Sequence, residues 1–108
     1  MNEMIAQTPN PPYYAVIFTS TPTANQNGYR DMAHELMKLV QDQPGFLGAE
    51  SVENGLGIIV SYWDSLDAIR NWKNDERHST AQAKGKTDWY KACRTRICRV
   101  EHDYGYEH

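Results

Sequence analysis

Two clusters of residues in this chain are of types that do chemistry. Trp72 and His78 stand six positions apart, and Trp89, Tyr90 and Arg94 follow soon after. An imidazole titrates near neutral pH, so His78 is the general base on offer. Trp and Tyr rings combine a large apolar face with a polar tip, which suits a lined pocket as well as a core. Core filling is the commoner fate of any single ring; for His78 it is an exposed or structurally bonded imidazole. Six residues on an ideal helix separate Trp72 and His78 by well over half a turn. A kink near Asn74 is therefore needed if both are to face one cavity.

Other chemistries find little support. The four histidines, His34, His78, His102 and His108, are scattered and lack zinc-ligand spacing. There is no G-x-S-x-G elbow, and Cys93 and His102 meet only if the tertiary fold happens to bring them together. No Gly-rich phosphate loop is present, which argues against a bound dinucleotide. The formal charge of −3 argues against nucleic acid as the main partner. Residues 84–99 nevertheless hold Lys84, Lys86, Lys91, Arg94, Arg96 and Arg99 against Asp88 alone. That run reads as a solvated face or, more sharply, as an attraction for an anionic ligand. Cys93 and Cys98 are five apart, on opposite faces of a regular strand, and read as free thiols in a reducing compartment. No stretch is apolar enough to span a membrane and no signal peptide is evident, so the expected location is cytoplasmic.

The elements that must position the clusters can be read from periodicity. Residues 1–12, with Pro9, Pro11 and Pro12, read as a flexible lead-in to one domain over 13–108. YYAVIFTS, 13–20, is nearly continuous in apolar character, as a central strand is. Tyr29, Met32, Ala33, Leu36, Met37 and Val40 make one helical stripe, capped by Asn25 or Asn27 and stopped at Pro44-Gly45. Asn54-Gly55 between 46–53 and 56–63 predicts a hairpin with a type I′ turn. Asp64 or Ser65 caps a second helix, with Leu66, Ile69 and Trp72 inward, and helical character continues over 75–82 until Gly85. A short helix over 87–92 and a strand over 95–106 complete the chain. The order β-α-β-β-α-β is that of a ferredoxin-like α+β fold with an antiparallel sheet and both helices on one face. Several strands are apolar on both sides, so the uncovered face is expected to pack against a second sheet, giving a homodimer.

The stretches QPGFLGAESV, IIVSYWDSLDAIRNWKNDERHSTAQ and KTDWYKACRTRICRVEHDY resemble the antibiotic biosynthesis monooxygenase domain family, over about residues 13–106. The resemblance implies a ferredoxin-like subunit in a dimeric α/β-barrel, and for its enzymes oxidation of aromatic polyketides by dioxygen without metal or flavin. Other members degrade haem, with a pattern of an Asn on the first strand, a Trp on the second helix and a His ten residues further. Trp72 matches, but Gln82 stands at the His position and the first strand has no Asn.

On this resemblance the expected function is a cofactor-independent monooxygenase acting on a small aromatic molecule. Such a substrate would lie between sheet and helices against Phe18 and Trp72, near Trp89 and Tyr90. His78 would remove its proton, and Arg94 or Arg96 would stabilise the developing oxyanion. The alternatives are a non-catalytic dimeric domain that binds a small ligand or serves a stress response and, further off, haem degradation.

Overall fold

The computed structural model describes residues 4–108, apart from the side chains of Glu76 and Arg77. The elements follow the order β1 (Tyr13–Pro22), α1 (Tyr29–Val40), β2 (Phe46–Glu53), β3 (Gly57–Trp63), α2 (Leu66–Lys73), α3 (Glu76–Lys84) and β4 (Tyr90–Val100). A single π-helical turn, Gly85–Trp89, joins α3 to β4. The four strands lie in the order β2-β3-β1-β4, every neighbouring pair antiparallel. This is the ferredoxin-like α+β fold, with its second helix broken in two.

Register decides which side chains share a face. Phe18 pairs with Ile59 and Thr95, and Val16 with Ser61 and Ile97. Strand side chains alternate, so these residues and Ser20 form one face. Ala15, Ile17, Val60, Tyr62, Arg96 and Cys98 form the other. The first face is roofed by the helices. Trp63 is wholly buried there, in a cluster with Val40, Ala68 and Ile69, against which Val16, Phe46 and Trp72 pack. Its indole N–H donates to Ser61 Oγ at 3.0 Å, so burial leaves no orphaned donor. Ser65 caps α2, its side chain accepting from the Ala68 N–H at 3.0 Å.

The second face is partly covered by the chain's own ends. Residues 1–3 of the N-terminal segment lie outside the described residues. From the remainder, the Ala6 N–H donates to Glu50 Oε2 at 3.0 Å, and the Thr8 hydroxyl donates to the Tyr13 hydroxyl at 3.1 Å. The Tyr62 hydroxyl donates to the other Glu50 oxygen at 2.6 Å, while Tyr13 donates to Asp103. Burial and these carboxylate partners raise both phenol pKa values, so each stays a neutral donor.

Four local expectations are corrected. The cap of α1 is Gly28, in the left-handed region at φ 81°, because Asn25 Oδ1 instead accepts from the Asn27 N–H inside the preceding turn. The hairpin loop has three residues, since Glu53 pairs with Gly57; only Gly55 has a positive φ, at 77°, which excludes a type I′ turn. The short helix expected over 87–92 is a π turn that begins at Gly85 and ends at Trp89, and residues 90–92 belong to β4. Ala92 and Tyr90 pair with Thr21 and Pro22 on β1, which runs two residues past its expected end. The last strand stops at Val100, opposite Tyr13, where β1 has no further residues to pair with. Residues 101–108 carry no regular structure.

Candidate active site

Between one face of the sheet and helices α1 and α3 lies a partly open cavity of about 400 Å³, within the range of small-molecule sites. Its floor is Val16, Phe18, Ile59 and Ser61, and its roof Met32, Leu36, Ala81 and Gln82. Trp72 and His78 line it at one side, Tyr29, Trp89 and Tyr90 at another.

The break between α2 and α3 is what brings Trp72 and His78 together. Asn74 ends α2, its N–H bonding to the carbonyls of Arg70 and Trp72. The Asp75 carboxylate then accepts from the His78 N–H at 3.4 Å, and a new helix starts at Glu76. The imidazole consequently stacks on Trp72, ring centres 4.4 Å apart and planes at 14°. Trp72 in turn stacks on buried Trp63, at 6.4 Å and 29°. The expected kink near Asn74 is present, and both side chains face one cavity.

His78 Nδ1 lies 2.9 Å from the Trp72 carbonyl oxygen. A carbonyl only accepts, so Nδ1 carries the proton and Nε2 the lone pair of the neutral ring. Burial lowers the His78 pKa below its ordinary value, against smaller upward effects of that carbonyl and the Asp75 charge. At neutral pH the side chain is a neutral base of fixed tautomer.

The other side is built by the π turn. Trp89, 3% exposed, is clamped by the β1–α1 loop: its indole N–H donates to the Asn27 carbonyl at 2.9 Å. Its own carbonyl accepts from the Thr23 N–H and the Gln26 side chain, both at 2.9 Å. With Trp89 fixed, Tyr90 starts β4 with its ring over Phe18 at 5.2 Å and beside Tyr29 at 5.9 Å. Burial, and next to it the neighbouring Tyr29, raise the Tyr90 pKa. Gly85 makes the arrangement possible: a Cβ there would lie 2.6 Å from Tyr90 Cε2.

Of the residues singled out from sequence, Phe18, Trp72, His78, Trp89 and Tyr90 therefore share the cavity. Arg94 and Arg96 do not line it. They pair with Thr19 and Ile17, on the opposite face of the sheet from Phe18 and Thr95. Cys93 and Cys98, opposite Ser20 and Ala15, lie on different faces and are free and exposed. Among the described residues no group of three His, Cys, Asp or Glu is placed to hold a metal ion, and no helix is long and apolar enough to cross a membrane. Sequence reasoning missed Tyr29, which reads there as one more residue of an apolar helical stripe. Gln82 attracts notice in the sequence only as a departure from the haem pattern, yet it lines the wall.

Matching against family models places residues 12–84 in the antibiotic biosynthesis monooxygenase model. The chain belongs to the antibiotic biosynthesis monooxygenase family. The uncharacterised protein YqjZ of Bacillus subtilis is 47% identical over 103 residues, covering 94% of this chain and 90% of YqjZ. Solved structures of the same fold include Rv0793 from Mycobacterium tuberculosis, with a TM-score of 0.74 at 12% identity, covering 87% of this chain and 99% of Rv0793. SnoaB, a cofactor-independent oxygenase from Streptomyces nogalater, has a TM-score of 0.73 at 9% identity, covering 86% of this chain and 97% of SnoaB. At such identities these structures speak for the fold.

Proposed function

We propose that this chain is a cofactor-independent monooxygenase that oxidises a small aromatic, polyketide-like molecule in the cavity described above. The observation that carries the reading is His78: a neutral imidazole of fixed tautomer, stacked on an aromatic wall of an apolar cavity. A planar substrate with an acidic C–H, such as an anthrone, fits between Phe18 and the helices. His78 Nε2 takes the proton, and the carbanion, delocalised into the ring carbonyl, transfers electrons to dioxygen. The methylene loses both hydrogens; one oxygen atom stays as the new carbonyl and the other leaves as water. The protein contributes the base, the orientation and exclusion of water. Arg94 and Arg96 take no part in this step from within one chain.

The working unit in this proposal is a homodimer in the cytoplasm. Ile17, Val60 and Ile58 on the second face are only half-buried in one chain, and a second sheet packed there would cover them. Sedimentation equilibrium tests the dimer, and a monomer at micromolar concentration would refute it. Two exposed free thiols suit a reducing compartment.

The test of activity is dioxygen uptake with anthrone, measured against spontaneous oxidation. Wild-type protein is expected to accelerate uptake, and His78→Ala to lower that acceleration by about 10²–10⁴-fold, the usual contribution of a general base. Uptake no faster than the blank would refute the enzyme and leave a domain that binds ligands in the same cavity.

A further inference from the structure

The proposed step leaves negative charge on the carbonyl oxygen of the substrate. Arg94 and Arg96 lie on the other face of the sheet and do not meet it. A donor for that oxygen must come from the cavity lining, and strand register sorts the polar lining by its distance from the base. On the floor, Ser20 and Glu53 both pair with Gly57 or its neighbour strand at that level, at one end of β3. Ser51 pairs with Ile59, as does Phe18, which faces Thr95 on its other side. Ser61, beside Val16 and Ala49, is the next residue of this face, about 7 Å beyond Ile59. Next again is Trp63, beneath the lining, on which Trp72 and then His78 are stacked. By register, Ser61 is the polar floor residue nearest the base. On the roof Gln82 stands one turn beyond His78, but it is exposed.

The Ser61 hydroxyl is also held in place. The Trp63 indole N–H donates to its Oγ at 3.0 Å. That bond occupies one lone pair and leaves the hydroxyl proton to donate. Accepting it also polarises the hydroxyl toward donation. Among the described residues no acceptor takes the Ser61 proton, and the side chain lines the cavity. The plain role of this contact is to satisfy a buried indole N–H. That role uses only the accepting half of the hydroxyl and leaves the donating half for a molecule in the cavity.

We infer that Ser61 is a catalytic residue of the proposed reaction, its hydroxyl donating to the carbonyl oxygen of the substrate as negative charge builds there. This rests on the proposed function, because it names the partner of the anion that His78 creates. Ser61 gives a hydrogen bond and keeps its proton. The C–H proton goes to His78 Nε2, and the electron pair it leaves behind is delocalised onto the oxygen. A bond to a neutral carbonyl strengthens as that oxygen becomes anionic, so its contribution falls on kcat more than on KM.

Two measurements on the full chain test this. The first is steady-state dioxygen uptake with anthrone. Ser61→Ala is expected to lower kcat about 10- to 100-fold with KM within about threefold, and Ser61→Thr, which keeps the hydroxyl, to stay within about threefold of wild type. The second needs no turnover. Bound 4-nitrophenol reports its own ionisation by absorbance, and its pKa in the complex should be about one unit higher in Ser61→Ala than in wild type or Ser61→Thr. A Ser61 that only partners the Trp63 N–H would lower the melting temperature of Ser61→Ala and leave that pKa where it is. An unchanged kcat in Ser61→Ala overturns the inference. So does an equal kcat loss in Ser61→Thr when melting shows both variants folded, or a bound 4-nitrophenol pKa that is the same with and without the hydroxyl. Failure of wild-type protein to bind 4-nitrophenol also counts against an oxyanion site. Wild-type uptake at the blank rate overturns the reaction itself, a result distinct from turnover that ignores Ser61.

Discussion

Replacing Gly85 with Ala should destabilise this protein, although glycine-to-alanine changes at helical positions usually do the reverse. Inside a helix the change normally gains roughly 0.5–1 kcal/mol, since alanine restricts the unfolded chain and glycine does not. Here the new methyl carbon would lie 2.6 Å from Tyr90 Cε2 and 2.8 Å from Cδ2. Both are well inside van der Waals contact. The ring is hemmed in by Phe18 and Tyr29, so it has no easy direction in which to yield. Overpacking of this kind costs about 1–3 kcal/mol. The helical gain offsets only part of this cost. The expected net loss is about 0.5–2 kcal/mol, read as a lower urea midpoint at an unchanged m-value. A cycle with Tyr90→Val isolates the cause. Once the ring is gone, Gly85→Ala should be neutral or stabilising, giving a coupling of about 2 kcal/mol between the two sites. If Gly85→Ala raised stability in the wild-type background, or cost as much with Val at position 90, the close approach would not be what holds Tyr90 in place.

Three further outcomes follow from the same geometry. The His78 pKa is lowered by burial, so the folded state binds fewer protons than the unfolded state between the folded pKa and the ordinary value of about 6.5. The resulting stability is complete above about pH 6.5 and is lost as pH falls through the folded pKa; an NMR titration of the His78 ring with a midpoint at or above 6.5 would contradict this. Trp89→Phe removes the donor to the Asn27 carbonyl and part of a buried ring, and should cost about 2–4 kcal/mol in urea denaturation. Ser65→Ala removes the acceptor for the Ala68 N–H and should cost about 1 kcal/mol, with Ser65→Asp retaining most of the stability.

How far the sequence discloses this structure depends on the range of the interactions involved. β1, α1 and the paired β2 and β3 are local patterns of hydrophobic period and turn residues, and the four-stranded order follows from them. The end of the chain was misread because Tyr90, Lys91 and Ala92 are strand only by virtue of β1, some seventy residues away. Likewise His102, Tyr104 and Tyr106 continue a strand-like alternation, but β1 begins at Tyr13 and leaves them nothing to pair with. The site shows the same division. Trp72 and His78 were visible as residue types, and the turn needed between them could be named in advance. The tautomer of His78 depends on a carbonyl that no sequence pattern marks. Arg94 and Arg96 were drawn toward the site by charge, yet a shift of one position along β4 decides the face, and Thr95 takes the place facing the cavity.

The polar contacts on the second face tie together parts of the chain that are far apart in sequence. Thr8 and Asp103, separated by 95 positions, meet at 3.4 Å beside Tyr13. The chain is thus almost a closed loop, and a linker of a few residues could join these two points covalently. New ends could then be opened at Gly55, where an added side chain would meet nothing within 4 Å. Such a circular permutant would keep every strand pairing and both sides of the cavity. It would also move any fused tag from the sheet's second face to the tip of the β2–β3 hairpin.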